Sequence, residues 1–237
     1  MFDRDSVEAV LFDVFGTVVD WRTSVMAEGE RLVPGRGVEW GALADQWRRR
    51  GYLRPIAQMV AGERTWAPID AVMREELDRL ADRHGFSEVG SAVLDELAAV
   101  WERLQPWPDA PAGLDRLRSR YLIGPLSNGG FGALTRMARN AGLRWDCVIS
   151  AELFHAYKTD RRVYEGAAVL LGLAPEKVML VAAHPTDLRA ARACGLATGY
   201  VPRPLEWGPG GPVEESEAGE FDLTARDFDA LAEALGA

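Results

Sequence analysis

Two hydrophobic rhythms alternate along the chain. Residues 7–12, 121–126, 145–150, 178–183 and 197–201 are short, nearly continuous apolar runs, such as VEAVLF and VMLVAA. Runs of this length bounded by turn residues predict strands buried on both faces. Residues 21–104 follow a different rhythm. The stretches 23–32, 39–61, 68–84 and 91–104 carry apolar residues three and four apart, which predicts helices. Breaks fall at Pro34-Gly35-Arg36-Gly37, Gly62-Glu63-Arg64-Thr65 and Gly85, and nothing in this region reads as a strand. Helices are also predicted around Leu114 and Leu117, over 131–141 and over 188–195. Residues 202–220, rich in proline, glycine and glutamate, read as a surface loop in which Trp207 is an anchor or a subunit contact. Residues 221–235 return to strand and helix. The expectation is an α/β core interrupted by a helical insertion.

Composition narrows the class. With 237 residues and 48% hydrophobic content the chain can bury a large core, as one domain or as a domain with an inserted subdomain. Cys147 and Cys194 form neither a disulfide framework nor a metal-ligand pair, and they read as core residues of a cytoplasmic protein. The first five residues lack the features of a signal peptide, and no apolar run is long enough to span a bilayer. A formal net charge of −9 argues against nucleic acid or an anionic membrane as partner. A small anionic substrate would therefore need locally placed basic groups, for which Arg48 and Lys158 are the candidates.

The first strand ends in Asp13, with Gly16 and Thr17 just beyond. Ligands bind at the carboxyl edge of open α/β sheets. A carboxylate there can attack an electrophilic carbon or phosphorus and form a covalent intermediate, or it can merely accept turn hydrogen bonds. The segment Asp13-Val14-Phe15-Gly16-Thr17 resembles the first motif of the haloacid dehalogenase superfamily. That resemblance implies a Rossmann-like parallel-sheet core, residues 1–20 and 105–237, with a helical cap inserted at 21–104. Most members are magnesium-dependent phosphatases with the pattern DxD, whose second aspartate is a general acid. Phe15 stands in its place and has no proton to give. An aromatic there resembles the (S)-2-haloacid dehalogenase branch, which displaces halide.

The later motifs extend the resemblance. Trp47-Arg48 matches the pair whose arginine receives the departing halide, whereas Arg49 and Arg50 read as a solvated face. Tyr52 and Trp66 are candidates for the apolar wall around the substrate. Ser127-Asn128-Gly129, directly after an apolar run, is either an ordinary turn or the second motif. In the second reading the Ser127 hydroxyl and the amides after Val14 and Ser127 hold the substrate's carboxylate, and Thr17 and Asn128 support the nucleophile and its loops. Tyr157-Lys158 with Tyr164 six residues later resembles the segment in which the lysine steadies the nucleophilic carboxylate and the tyrosine bonds near it.

The final motif, Ala183-His184-Pro185-Thr186-Asp187, departs from the phosphatase pattern GDSxxD. Phe15 and Ala183 lack oxygen ligands, so neither metal nor cofactor is expected. Asp187 matches an aspartate that orients or deprotonates the hydrolytic water. His184 stands where an asparagine is common in this branch. It is read as a group that contacts substrate, halide or water and narrows the leaving-group pocket toward fluoride, or as a cap of the following helix. His84 and His155 are assigned no role. The implied reaction is hydrolysis of a short 2-haloalkanoic acid to the 2-hydroxy acid through an aspartyl ester, in a protein for which a homodimer is a candidate assembly. Three readings stay open: a related hydrolase acting on another activated carbon, such as a small cyclic amino acid; a phosphatase; and a non-catalytic binding protein on the same scaffold.

Overall fold

The structure, a computed structural model, describes residues 3–237. Its centre is a six-stranded parallel sheet built from β1 (Ala9–Phe12), β4 (Leu122–Ser127), β5 (Ile149–Ser150), β6 (Val178–Ala182), β7 (Ala197–Tyr200) and β8 (Leu223–Thr224). The spatial order is β5-β4-β1-β6-β7-β8. All four residues of β1 and all five of β6 are buried, which explains their unbroken apolar runs. Phe12 lies in register with Pro125 on one side and Val181 on the other. Three strands thus end together. The chain runs from β1 outward through β4 to β5, then crosses back to β6, so their shared carboxyl edge is a topological switch point.

Helices α6 (Ala110–Arg118), α7 (Phe131–Ala141), α8 (Arg161–Leu171), α9 (Pro185–Ala193) and α10 (Phe228–Leu235) belong to this part of the chain. Phe12 packs its ring 5.4 Å from Phe228 and 5.7 Å from Trp145. Gly113 lies directly on Phe228, leaving no room for a Cβ between α6 and α10.

Between β1 and β4 the chain forms α1 (Trp21–Leu32), α2 (Trp40–Trp47), α3 (Arg54–Val60), α4 (Ile69–Arg83) and α5 (Ser91–Ala98). This helical segment leaves and rejoins the core side by side. β2 (Val19–Asp20) and β3 (Gln105–Pro106) pair antiparallel at its two ends. The helix expected over 39–61 is interrupted by a π-helical turn at Arg48–Leu53.

Two sequence expectations are corrected here. The strand expected over 145–150 shortens to Ile149–Ser150: the Asp146 N–H still donates to Ile123 O at 2.9 Å, but the Ile123 N–H goes to the Asp146 carboxylate at 3.0 Å in place of a backbone carbonyl. The helix expected from residue 188 begins at Pro185, whose missing N–H costs nothing in the first turn. Cys147 and Cys194 are both free, one half-buried and one buried. Among the described residues no helix is long and apolar enough to cross a membrane.

Candidate active site

Asp13 leaves β1 at the switch point, and its backbone N–H is tied to Val181 O at 2.9 Å. The residue is 7% exposed, and its side chain meets three partners. Lys158 Nζ donates to Oδ1 at 2.8 Å, Thr17 Oγ1 donates to Oδ2 at 2.8 Å, and His184 Nδ1 lies 3.1 Å from Oδ2. The Thr17 hydroxyl in turn accepts the Ala183 N–H at 2.9 Å, which fixes its rotor toward Asp13. Burial opposes ionisation of Asp13, but the Lys158 charge and the His184 bond overcome it and hold the carboxyl far below the usual range.

Lys158 bridges two carboxylates, since its ammonium also bonds Asp187 Oδ2. Burial works against its charge, and Asp13 and Asp187 more than offset that, so it stays protonated. Asn128 sets its position by accepting the Lys158 N–H at 2.7 Å and donating to its carbonyl at 3.3 Å. Asp187 sits in the first turn of α9. Its pKa is raised by burial and by the Asp13 charge, against the pull of Lys158. The Tyr164 hydroxyl, expected beside the nucleophile, donates instead to Asp187 Oδ1 at 2.6 Å, because α8 delivers it to the α9 side of the site.

Arg48 opens the π-helical turn and is 3% exposed, although its guanidinium has no acid partner. Nη2 donates to Phe15 O at 3.3 Å, while Nε and Nη1 are buried without any acceptor. Rings take the place of counter-charges: the guanidinium carbon lies 4.1 Å from the Tyr52 centroid, 5.5 Å from Phe15 and 5.6 Å from Trp21. A buried cation with free donors is costly unless an anion arrives. Arg49 and Arg50 are exposed, and Arg49 lies over Trp207 at 4.7 Å.

Asp13, Arg48, Tyr52, Lys158, His184 and Asp187 all face one cavity of about 150 Å³, with Asn128 and Leu53 completing part of its wall. That is room for a handful of waters or a very short acid. Val14 and Phe15 lie behind this wall, with Phe15 edge-on to Tyr52 at 5.4 Å. Trp66 and Ser127 do not reach the cavity either, and Thr17 and Tyr164 also lie off its wall. Trp66 stacks on Tyr157 at 6.2 Å and packs against His155 at 4.8 Å instead. Ser127 is fully buried, and its hydroxyl accepts the Gly129 N–H at 3.2 Å.

His184 holds the N-cap position of α9 but makes no side-chain cap bond, which corrects the capping reading. Its Nε2 instead lies 2.9 Å from Glu206 Oε2. Glu206 was not legible in the sequence, since it comes from the loop read as surface; only a long-range contact reveals it. It is 6% exposed, and its other oxygen accepts the Trp21 Nε1–H at 3.0 Å. Burial opposes its charge, and His184 more than compensates, so its pKa is lowered. Burial also opposes a charge on His184, but Glu206 and Asp13 raise its pKa well above the ordinary value.

The donor set does not suit a hard divalent cation. Phe15 and Ala183 give no side-chain oxygen, and the Lys158 ammonium already bridges Asp13 and Asp187. Among the described residues no group of three or more histidine, cysteine or acidic side chains has metal-binding geometry.

Comparison with known proteins places the chain among relatives. Residues 7–195 match the family model described as haloacid dehalogenase-like hydrolase. An (S)-2-haloacid dehalogenase of Pseudomonas sp. (strain YL) is 30% identical over 206 residues, covering 84% of each chain. The structure of a defluorinating L-2-haloacid dehalogenase superposes with a TM-score of 0.92 at 42% identity, covering 98% of this chain and 96% of that one. An L-2-haloacid dehalogenase from Xanthobacter autotrophicus, with chloropropionic acid covalently bound, gives a TM-score of 0.80 at 25% identity over 98% and 99% of the two chains.

Proposed function

Because the chain belongs to the haloacid dehalogenase-like hydrolase family, we propose that it hydrolyses the carbon–halide bond of a short 2-haloalkanoic acid. One observation carries this reading: a buried carboxylate nucleophile and a buried guanidinium with two unpartnered nitrogens share one small cavity. In the first step an Asp13 Oδ1 lone pair forms a bond to C2 of the substrate. The carbon–halogen pair leaves with the halide toward Arg48. No proton is needed, which agrees with Phe15 in place of an acid. An aspartyl ester results.

In the second step Asp187 takes a proton from water, whose oxygen attacks Cγ of Asp13. The carbonyl pair moves onto Oδ2 and returns as the Cγ–Oδ1 bond breaks. Lys158, bonded to both Asp13 Oδ1 and Asp187, gives the departing hydroxy-acid oxygen a proton and regains one from Asp187. The rebuilt carboxyl of Asp13 releases the remaining proton. The products are a 2-hydroxy acid, halide and one proton.

Arg48, Tyr52 and Leu53, from the helical segment proposed as a cap over 21–104, form one wall of this cavity. Fluoride falls within the proposed range, supported by the small cavity and by the defluorinating relative. The test is free halide release from (S)- and (R)-2-chloropropionate, chloroacetate and fluoroacetate by wild type and Asp13→Asn. Wild-type release that vanishes in Asp13→Asn is expected; no release from any of the four contradicts the reading. Replacing His184 by Asn should shift turnover from fluoroacetate toward chloroacetate, and an unchanged ratio removes His184 from leaving-group selection.

A further inference from the structure

Beyond the nucleophile, the halide arginine and the water-activating aspartate, the site holds a buried acid that the proposed steps do not use. Glu206 reaches His184 from the loop after β7, about 190 residues beyond the nucleophile in sequence, and its carboxylate lies against Gly16. A Cβ at position 16 would collide with that carboxylate, and Gly16 has φ +92°, so the turn after Asp13 is shaped to admit it. The loop is pinned on either side of Glu206. Arg203 donates to Thr17 O at 3.0 Å and pairs with Asp109 at 2.8 Å, and the Trp207 and Trp21 rings meet edge to face with their centroids 5.0 Å apart.

We propose that Glu206 is a positioning residue that keeps His184 as an imidazolium against Asp13 Oδ2, where the ring stabilises the oxyanion formed during ester hydrolysis. The proposal rests on the dehalogenase reading above. Its physical reason is a change of charge during turnover. In the resting site His184 has two carboxylates beside it, Asp13 and Glu206. Once Asp13 is esterified it is neutral, and the buried imidazolium loses one partner at the moment its charge is needed. Glu206 remains. When water attacks, negative charge grows on Oδ2, which already has the Thr17 hydroxyl at 2.8 Å and the His184 ring at 3.1 Å, so two donors await it. Water adds its oxygen to Cγ, its proton goes to Asp187, and the electron pair rests on Oδ2 until the Cγ–Oδ1 bond breaks. His184 gives up no proton and takes none.

Other charges face this pair from every side. Lys158 and Asp187 lie across Asp13, Arg48 acts on Glu206, and Arg203 and Glu214 line a second cavity of about 220 Å³ behind the ring. Arg203 is already paired with Asp109, and Glu214 accepts from Thr186, so neither is the direct partner of His184.

The test separates the pair from the reaction. The chain has three histidines, so imidazole ¹⁵N spectra are assignable by comparison with His184→Asn. Asp13→Asn imitates the neutral, esterified state. In that variant at pH 8 both nitrogens of His184 should carry protons, and Asp13→Asn/Glu206→Gln should show a neutral ring. A neutral ring in the single variant, or a charged one in the double, overturns the proposal.

The kinetic arm uses Glu206→Gln, which keeps the acceptor for Trp21. It should release halide in a burst of one per site, accumulate the substrate-derived mass on the enzyme, and lose roughly 10²-fold in kcat, the effect of removing an oxyanion donor. A slowed burst with no accumulated ester overturns the proposal, because Glu206 would then act on displacement or on folding. Wild-type silence on all haloacids defeats the underlying reaction instead, and the spectra still report whether the ion pair exists.

Discussion

Three donors around Asp13 create a tension at the scale of single residues. Each keeps the carboxylate charged, and each draws density from the lone pair that, in the proposed mechanism, attacks carbon. The arrangement divides the labour between its oxygens: Oδ1 takes the Lys158 ammonium, which Asp187 shares, and Oδ2 takes the Thr17 and His184 bonds. Arg48→Lys tests the opposite side of the cavity. A point-like, strongly hydrated ammonium cannot replace a planar cation held among three rings, so kcat/KM should fall by on the order of 10²-fold with the fold intact by circular dichroism. Equal activity would remove the halide role.

Under the proposed mechanism the pH profile of kcat follows from two shifts. Asp187 must be ionised to take the water proton, and its pKa is raised by burial, so activity is lost as pH falls through that raised value. His184 must be charged, so activity is lost as pH rises through its own raised value. Glu206→Gln should bring the alkaline limb down and leave the acid limb in place. The same shift makes a stability statement: a histidine with a raised folded pKa stabilises fully below its ordinary value near 6.5 and loses that contribution as pH rises through the folded one. The melting-temperature gap between wild type and His184→Asn should therefore be widest in mild acid and narrow in base.

Among the elements, the π-helical turn is the one the apolar rhythm could not announce. A single extra residue per turn leaves the spacing of three and four intact on both sides, so residues 39–61 read as one helix. The widened turn is what buries Arg48 and Tyr52 together. Gly51 sits inside it, and an added Cβ would stand 3.0 Å from Trp47 Cδ1 and 3.3 Å from Glu76 Cβ. Gly51→Val should cost about 1–3 kcal/mol by overpacking, seen as a melting temperature several degrees lower, together with a raised KM as Arg48 and Tyr52 move. Unchanged stability and KM would show that the turn has slack. The strand expected at 145–150 is shortened for a different local reason: a side-chain carboxylate can imitate a strand's backbone acceptor, and periodicity does not distinguish the two.

Over the whole molecule, legibility followed the origin of each group. Asp13, Asn128 and Asp187 stand at or just beyond the ends of buried strands, so a run of apolar residues followed by a turn pointed to them. The side chains of Glu206 and Glu214 enter the site from a loop with no periodicity, composed of residues that usually face water. Their placement depends on contacts with Trp21, His184 and Thr186, all distant in sequence, and no local pattern encodes such contacts. Trp66 and Ser127 show the converse, since a motif-like position did not by itself put them on the cavity wall.

The central claim is that Asp13 attacks carbon and water then attacks Asp13. One turnover in H₂¹⁸O, with enzyme in excess over (S)-2-chloropropionate, tests it most directly. The account predicts unlabelled hydroxy acid and one ¹⁸O in the peptide bearing Asp13. Labelled hydroxy acid with an unlabelled Asp13 would mean that water attacks the substrate itself, and the covalent mechanism would be wrong.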